Sequence, residues 1–79
     1  MLPLIRRRRL RARSLRPGDY IHYPCAGCRV VKIHERSRRT VGIECELDSG
    51  VAMFASHPPR RRLDVTRTYR GLRRLIPVL

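Results

Sequence analysis

Residues 40–50, Thr40-Val41-Gly42-Ile43-Glu44-Cys45-Glu46-Leu47-Asp48-Ser49-Gly50, carry the pattern on which the fold turns. Apolar side chains stand at every odd position from 41 to 47, and Gly or Glu at the even ones. Side chains alternate across a strand with period two, so Val41, Ile43, Cys45 and Leu47 share a buried face while Glu44 and Glu46 share a solvated one. Asp48-Ser49-Gly50 is turn chemistry, with Gly50 free to take the positive φ that closes a tight hairpin before residues 51–55 return. A β-hairpin over residues 40–55 is expected.

Short strands extend outward from this hairpin. Tyr20-Ile21-His22-Tyr23 follows a Pro17-Gly18-Asp19 turn, and Pro24 with Gly27 marks the next loop. In Arg29-Val30-Val31-Lys32-Ile33-His34-Glu35 the alternation puts Val31 and Ile33 on one face, and residues 36–39 form an exposed connection. Pro58 and Pro59 end the strand after the hairpin because proline cannot donate to a ladder. Arg60, Arg61 and Arg62 continue a loop, and Leu63-Asp64-Val65-Thr66 supplies a last strand. Five short strands with no space for a long helix point to an all-β chain, a small closed barrel in which closure removes exposed edges.

At 79 residues there is room for one small core. The expected organisation is a basic N-terminal arm at residues 1–14, a β-barrel at 15–67 and a basic, apolar tail at 68–79. In the tail, Leu72, Leu75 and Ile76 have helical spacing between the breakers Gly71 and Pro77. Both arms are expected to be flexible, since the acid-free run Arg6, Arg7, Arg8, Arg9, Arg11, Arg13 repels itself.

The chain has 19 Lys+Arg against 6 Asp+Glu, a formal net charge of +13, and Lys32 is the only lysine. The excess concentrates at the two ends. Such a balance calls for a polyanionic partner. No run approaches the roughly 20 apolar residues of a membrane span, and residues 1–5 are too short for the apolar region of a secretory signal. A cytoplasmic or host-cell nucleoid location is expected. The alternative is a mitochondrial presequence at residues 1–16, which the acid-free, Arg-rich composition also fits.

From Leu15-Arg16-Pro17-Gly18-Asp19-Tyr20-Ile21, through Val30-Val31-Lys32-Ile33 and Glu46-Leu47-Asp48-Ser49-Gly50, to Phe54 and Val65, the chain resembles small SH3-like barrels. That group includes KOW and Tudor-like modules and short barrels of phages and mobile elements. The resemblance covers about residues 15–67 and implies a five-stranded barrel with an accessory or regulatory role. The chain lacks the Gly-Lys-x-Gly-x-Val run of KOW motifs. Its aromatic candidates, Tyr20, Tyr23 and Phe54, are too scattered for a methyl-lysine cage.

Cys25-Ala26-Gly27-Cys28 has the spacing of one zinc knuckle, and Cys45 with His57, His22 or His34 could complete four ligands. No second paired knuckle is present, and the odd cysteine count fits reduced, unligated thiols, so no cofactor is expected and zinc is the alternative. No nucleophile–base pair, catalytic carboxylate pair or phosphate-cradling glycine loop is evident, so no enzymatic activity is expected. The arginines remain. Arg36, Arg38 and Arg39 fall on one predicted loop and Arg60, Arg61 and Arg62 on another. If those loops converge, they form a basic rim beside the arm. The leading expectation is a nucleic-acid-binding module gripping the phosphate backbone, DNA favoured over RNA for want of stacking aromatics. The second is an assembly subunit of a larger ribosomal, virion or polymerase-associated complex, docking through its apolar ends.

Overall fold

Alternating burial along the central hairpin sets the architecture. The computed structural model of the chain describes residues 4–69. In chain order it contains β1 (Leu4–Arg11), a 3-10 turn (Ala12–Ser14), β2 (Tyr20–His22), β3 (Gly27–Arg36), β4 (Val41–Leu47), β5 (Ala52–His57) and β6 (Arg62–Tyr69). The chain is all-β: the strands form one antiparallel sheet in the order β1-β6-β2-β3-β4-β5. Among the described residues no ladder joins β5 back to β6 or β1. All five expected strands are present within a few residues of their expected limits, and β1 is a sixth.

In β4, Val41, Ile43 and Cys45 are buried and Leu47 packs half-buried against them, as period two requires. The turn that follows is closed by Gly50 N–H to Leu47 O (2.8 Å) and Leu47 N–H to Val51 O (2.9 Å). Gly50 sits at φ +90°, where a Cβ would be strained.

β3 departs from the expected parity. Its ladder with β4 pairs Val30 with Cys45 and Lys32 with Glu44, then Ile33 with Ile43 and Glu35 with Gly42. Val31 and His34 are therefore extra residues at two β-bulges, each of which reverses the inward side. Val30 is buried and Val31 exposed, while Ile33 packs on the core, so Val31 and Ile33 do not share a face as simple alternation predicts.

The larger correction concerns the N-terminal arm. Residues 4–11, expected to be flexible, pair with β6 in a continuous register from Leu4↔Tyr69 to Arg11↔Arg62. Strand geometry itself relieves the repulsion, because neighbouring guanidinium groups leave on opposite faces. Leu10 adds an apolar contact to the core beside its partner Leu63. The Arg7 guanidinium grips the Asp64 carboxylate through Nε (3.0 and 3.2 Å) and NH2 (2.7 Å). With β1 as a partner, β6 runs on past the expected end at residue 66 and takes residues 68–69 from the expected tail. The helical spacing noted at residues 72–76 lies outside the described residues.

The core comprises Ala12, Leu15, Ile21, Cys28, Val30, Val41, Ile43, Cys45, Leu63 and Val65. Burying each larger aliphatic member contributes about 1.5–3 kcal/mol against the chain entropy. One charged residue joins them: Asp19, 2% exposed. Its carboxylate accepts from Arg67 Nε (2.8 Å), Arg67 NH2 (2.7 Å) and the Arg16 backbone N–H (2.8 Å). Arg67 NH2 also donates to Ser14 O (2.7 Å). The pair thus ties the Pro17-Gly18 turn and the 3-10 turn to β6. Deleting one partner of such a buried pair costs about 3–5 kcal/mol, because the other charge is left without compensation.

Candidate nucleic-acid interface

Two tight turns and the 3-10 turn meet at one end of the sheet. Between β3 and β4, the Ser37 N–H donates to Thr40 O (2.9 Å), and Ser37 Oγ accepts from the N–H groups of Arg39 (3.3 Å) and Thr40 (3.1 Å). A hydroxyl two and three residues ahead of these amides is the usual local device for tightening a loop. It holds Arg38 and Arg39 at the tip. Between β5 and β6, Arg61 N–H donates to Pro58 O (3.0 Å), and Pro59 pre-sets the bend. The 3-10 turn docks onto this loop through Ala12 N–H to Arg61 O (2.8 Å) and Arg13 N–H to Pro59 O (3.0 Å).

The result is an open recess of about 1060 Å³ lined by Arg13, Ser14, Arg36, Ser37, Arg38, Arg39, Pro58, Pro59 and Arg60. Five arginines and no acid line it. The Arg36 guanidinium donates to Leu15 O, which fixes its direction from the end of β3. The two basic loops, whose convergence the sequence leaves as a condition, meet here through Arg36, Arg38, Arg39 and Arg60. Arg13 joins them because the 3-10 turn, read from sequence as part of the N-terminal arm, is anchored by backbone hydrogen bonds. Ser14 and Ser37 were not singled out by sequence, and Pro58 and Pro59 were read only as strand breakers. The signal for Ser37 is its place three residues ahead of Thr40 in an otherwise Arg-rich loop.

The remaining arginines are distributed differently. Arg7, Arg9 and Arg11 leave one face of β1, and Arg62 stands opposite Arg11; Arg6 and Arg8 leave the other face, opposite Arg67 and Val65. The run therefore does not form a single patch. Arg7 is partly compensated: its hydrogen bonds hold the Asp64 carboxyl below the usual carboxylate range, and Asp64 in turn raises the Arg7 pKa. Arg61 sits in the 58–61 turn beside the recess but does not line it. Glu35, Glu44, Glu46 and Asp48 occur on β3, β4 and the turn after β4, none of them in the recess lining.

The zinc alternative needs Cys25, Cys28, Cys45 and His57 to converge, and they do not. Among the described residues no group of three or more His, Cys, Asp or Glu side chains is placed to hold a metal ion. Cys25 is exposed, whereas Cys28 and Cys45 are buried in the core. Burial raises both thiols, Cys45 to about 12, so both remain protonated. His57 is engaged elsewhere: its Nε2 meets Tyr23 Oη, and the two rings stack at 5.6 Å. His22 Nε2 contacts Thr66 Oγ1 (2.6 Å) and His34 Nε2 contacts Glu44 Oε1 (2.9 Å). Gly27, inside the CxxC, has a packing role. A Cβ at Gly27 would fall 1.9 Å from Tyr20 Oη, so the ring occupies the space above that residue while its hydroxyl donates to Asp48 (2.8 Å).

Comparison with protein-family models, with curated proteins and with solved structures gives no match for this chain.

Proposed function

We propose that this chain is a non-enzymatic nucleic-acid-binding module. Its arginine recess would grip the phosphate backbone, with Arg9, Arg11 and Arg62 extending the contact along β1 and β6. The observation that carries the reading is the recess itself: Arg13, Arg36, Arg38, Arg39 and Arg60 converge on one concavity without an acid. Guanidinium groups match phosphate oxygens as planar forks, and each phosphate neutralised releases counterions. Because hydrogen-bonded turns hold these arginines, little backbone ordering entropy remains to be paid on binding. Among the described residues no helix for a groove and no paired stacking aromatics accompany the recess, so sequence preference would be weak and duplex DNA favoured over RNA. A small SH3-like β-module displaying basic loops, its sheet not closed between β5 and β1, with an accessory role in the cytoplasm or nucleoid, is the form this reading takes. Among the described residues no helix is long and apolar enough to cross a membrane.

Removing residues 1–14 would delete β1 and the 3-10 turn, so the test is a substitution. Labelled duplex DNA, duplex RNA and single strands are titrated over a salt series with the wild type and with an Arg38→Ala/Arg39→Ala/Arg60→Ala variant. For duplex DNA each lost phosphate contact lowers the slope of log affinity against log salt by about 0.9, so the triple variant is expected to lose nearly three units of slope. Salt-insensitive binding, or an unchanged slope in a folded variant, would refute the reading. A second reading, docking into a larger protein assembly, draws on exposed apolar residues such as Ile5, 61% accessible. Tight capture by a protein partner with indifference to nucleic acid would favour it.

A further inference from the structure

Among the described residues the sheet has two edges, β1 and β5, and their sequences treat that exposure in opposite ways. β1 carries five arginines in eight residues. A second strand laid against it meets positive charge on either face, a standard means of blunting an edge. β5, Ala52-Met53-Phe54-Ala55-Ser56-His57, has no Lys, Arg, Asp, Glu or Pro. Its ladder to β4 runs from Val41↔His57 to Glu46↔Ala52 without a bulge. Among the described residues β5 pairs only with β4. Phe54 is 70% exposed, resting against the His34 ring at 5.5 Å, and Val51 at the start of the strand is 58% exposed.

Charge placement decides the occupant. Every acid except Asp19 and Asp64 belongs to β3, β4 or the turn between β4 and β5. The neighbourhood of β5 is thus the least positive part of a chain with net charge +13. A nucleic acid or an acidic protein would be repelled there relative to the recess. A second copy of this chain is not, because an uncharged strand can lie antiparallel to itself without opposing like charges. We infer that β5 is a self-association edge, through which two copies join by antiparallel β5–β5 pairing into one continuous sheet. The contact is isologous and closes at two copies, with each Phe54 covering apolar surface on the other strand. Antiparallel pairing sets the two His57 ends, and the arginine recesses beyond them, at opposite ends of the paired strands. A six-residue edge lies at the small end of interface sizes, so the association depends on concentration.

The test is size-exclusion chromatography with light scattering on the full chain, freed of nucleic acid, at roughly 1–300 µM in about 0.5 M salt to screen the net charge. The expected result is a mass that rises about twofold from monomer to dimer and stops there. Phe54→Lys and Ser56→Lys, both at exposed positions, are expected to stay monomeric with unchanged far-ultraviolet circular dichroism. If Phe54→Lys fails to fold, Ser56→Lys decides. The triple arginine variant is expected to dimerise like the wild type, which separates this inference from the nucleic-acid reading. A wild type that stays monomeric, growth beyond the dimer, or folded lysine variants that dimerise normally would each overturn it. So would β5 amides protected from hydrogen exchange at all dilutions, which would assign the edge to residues 70–79 of the same chain.

Discussion

The two bulges in β3 make adjacent valines unequal, and this can be measured. Val30 is 1% exposed and Val31 48% exposed, although both are valines in one strand. Val30→Ala removes two carbons from the core, worth about 1.6 kcal/mol in transfer at 0.8 per methylene, and leaves a small cavity that brings the loss to about 2–3 kcal/mol. Val31→Ala removes the same atoms from a site already half in water, and the expected loss is about 0.5 kcal/mol, mostly from weaker strand propensity. In a domain of this size each kcal/mol moves the melting temperature by about 4–8 °C, so Val30→Ala should melt about 8–24 °C lower and Val31→Ala within about 4 °C of wild type. Urea unfolding at constant m-value, alongside thermal melts by circular dichroism, provides the assay. Equal losses for both variants, or the larger loss at Val31, would refute the bulged register and restore uninterrupted alternation.

The Tyr23–His57 contact and the buried cysteines give two further expected outcomes. Burial first, and Arg61 second, lower the His57 pKa, while burial raises that of Tyr23, so the phenol donates to a neutral imidazole. The folded state then binds a proton at His57 less readily than the unfolded chain. The stability His57 contributes is intact above about pH 6.5 and is lost as the pH falls through its depressed folded value. An NMR titration of the His57 ring should show a midpoint below the ordinary histidine value, and a midpoint at or above it would contradict the contact. Thiol labelling of the native protein should modify Cys25 rapidly and leave Cys28 and Cys45 until denaturant is added, since only Cys25 is exposed. Fast labelling of two or three thiols would show that the core pair is open to solvent.

The β4–β5 hairpin was legible because its signal is local: odd-position apolar residues and an Asp…Gly turn lie within sixteen residues. β3 kept its place but lost its parity, since a bulge is a two-against-one pairing that a single strand's pattern does not display. β1 was illegible for a different reason. Charge density alone argues for disorder, and what reverses that argument is Asp64, 57 residues away from Arg7 in sequence. For the candidate site, the arginines of both loops could be named from composition and turn chemistry. Their convergence, and the addition of Arg13, depend on Ala12 and Arg13 donating to carbonyls of the 58–61 turn, which no local pattern announces. The same alternation that makes a strand of Arg6–Arg9 also divides it between two faces, so the longest run in the sequence contributes nothing to the recess lining.

The pairing of β1 with β6 has a consequence for biosynthesis. Vectorial translation delivers the arginine strand before its hydrogen-bonding mate, with four strands between them, so this ladder has to wait while those strands are made. Closing so wide a loop is entropically slow, and it places the final zippering of the sheet late in maturation. Until then the nascent chain trails an unsheathed cationic segment beside the RNA-rich surface of the ribosome that is making it. A lesion in β6 would leave this segment without its strand partner.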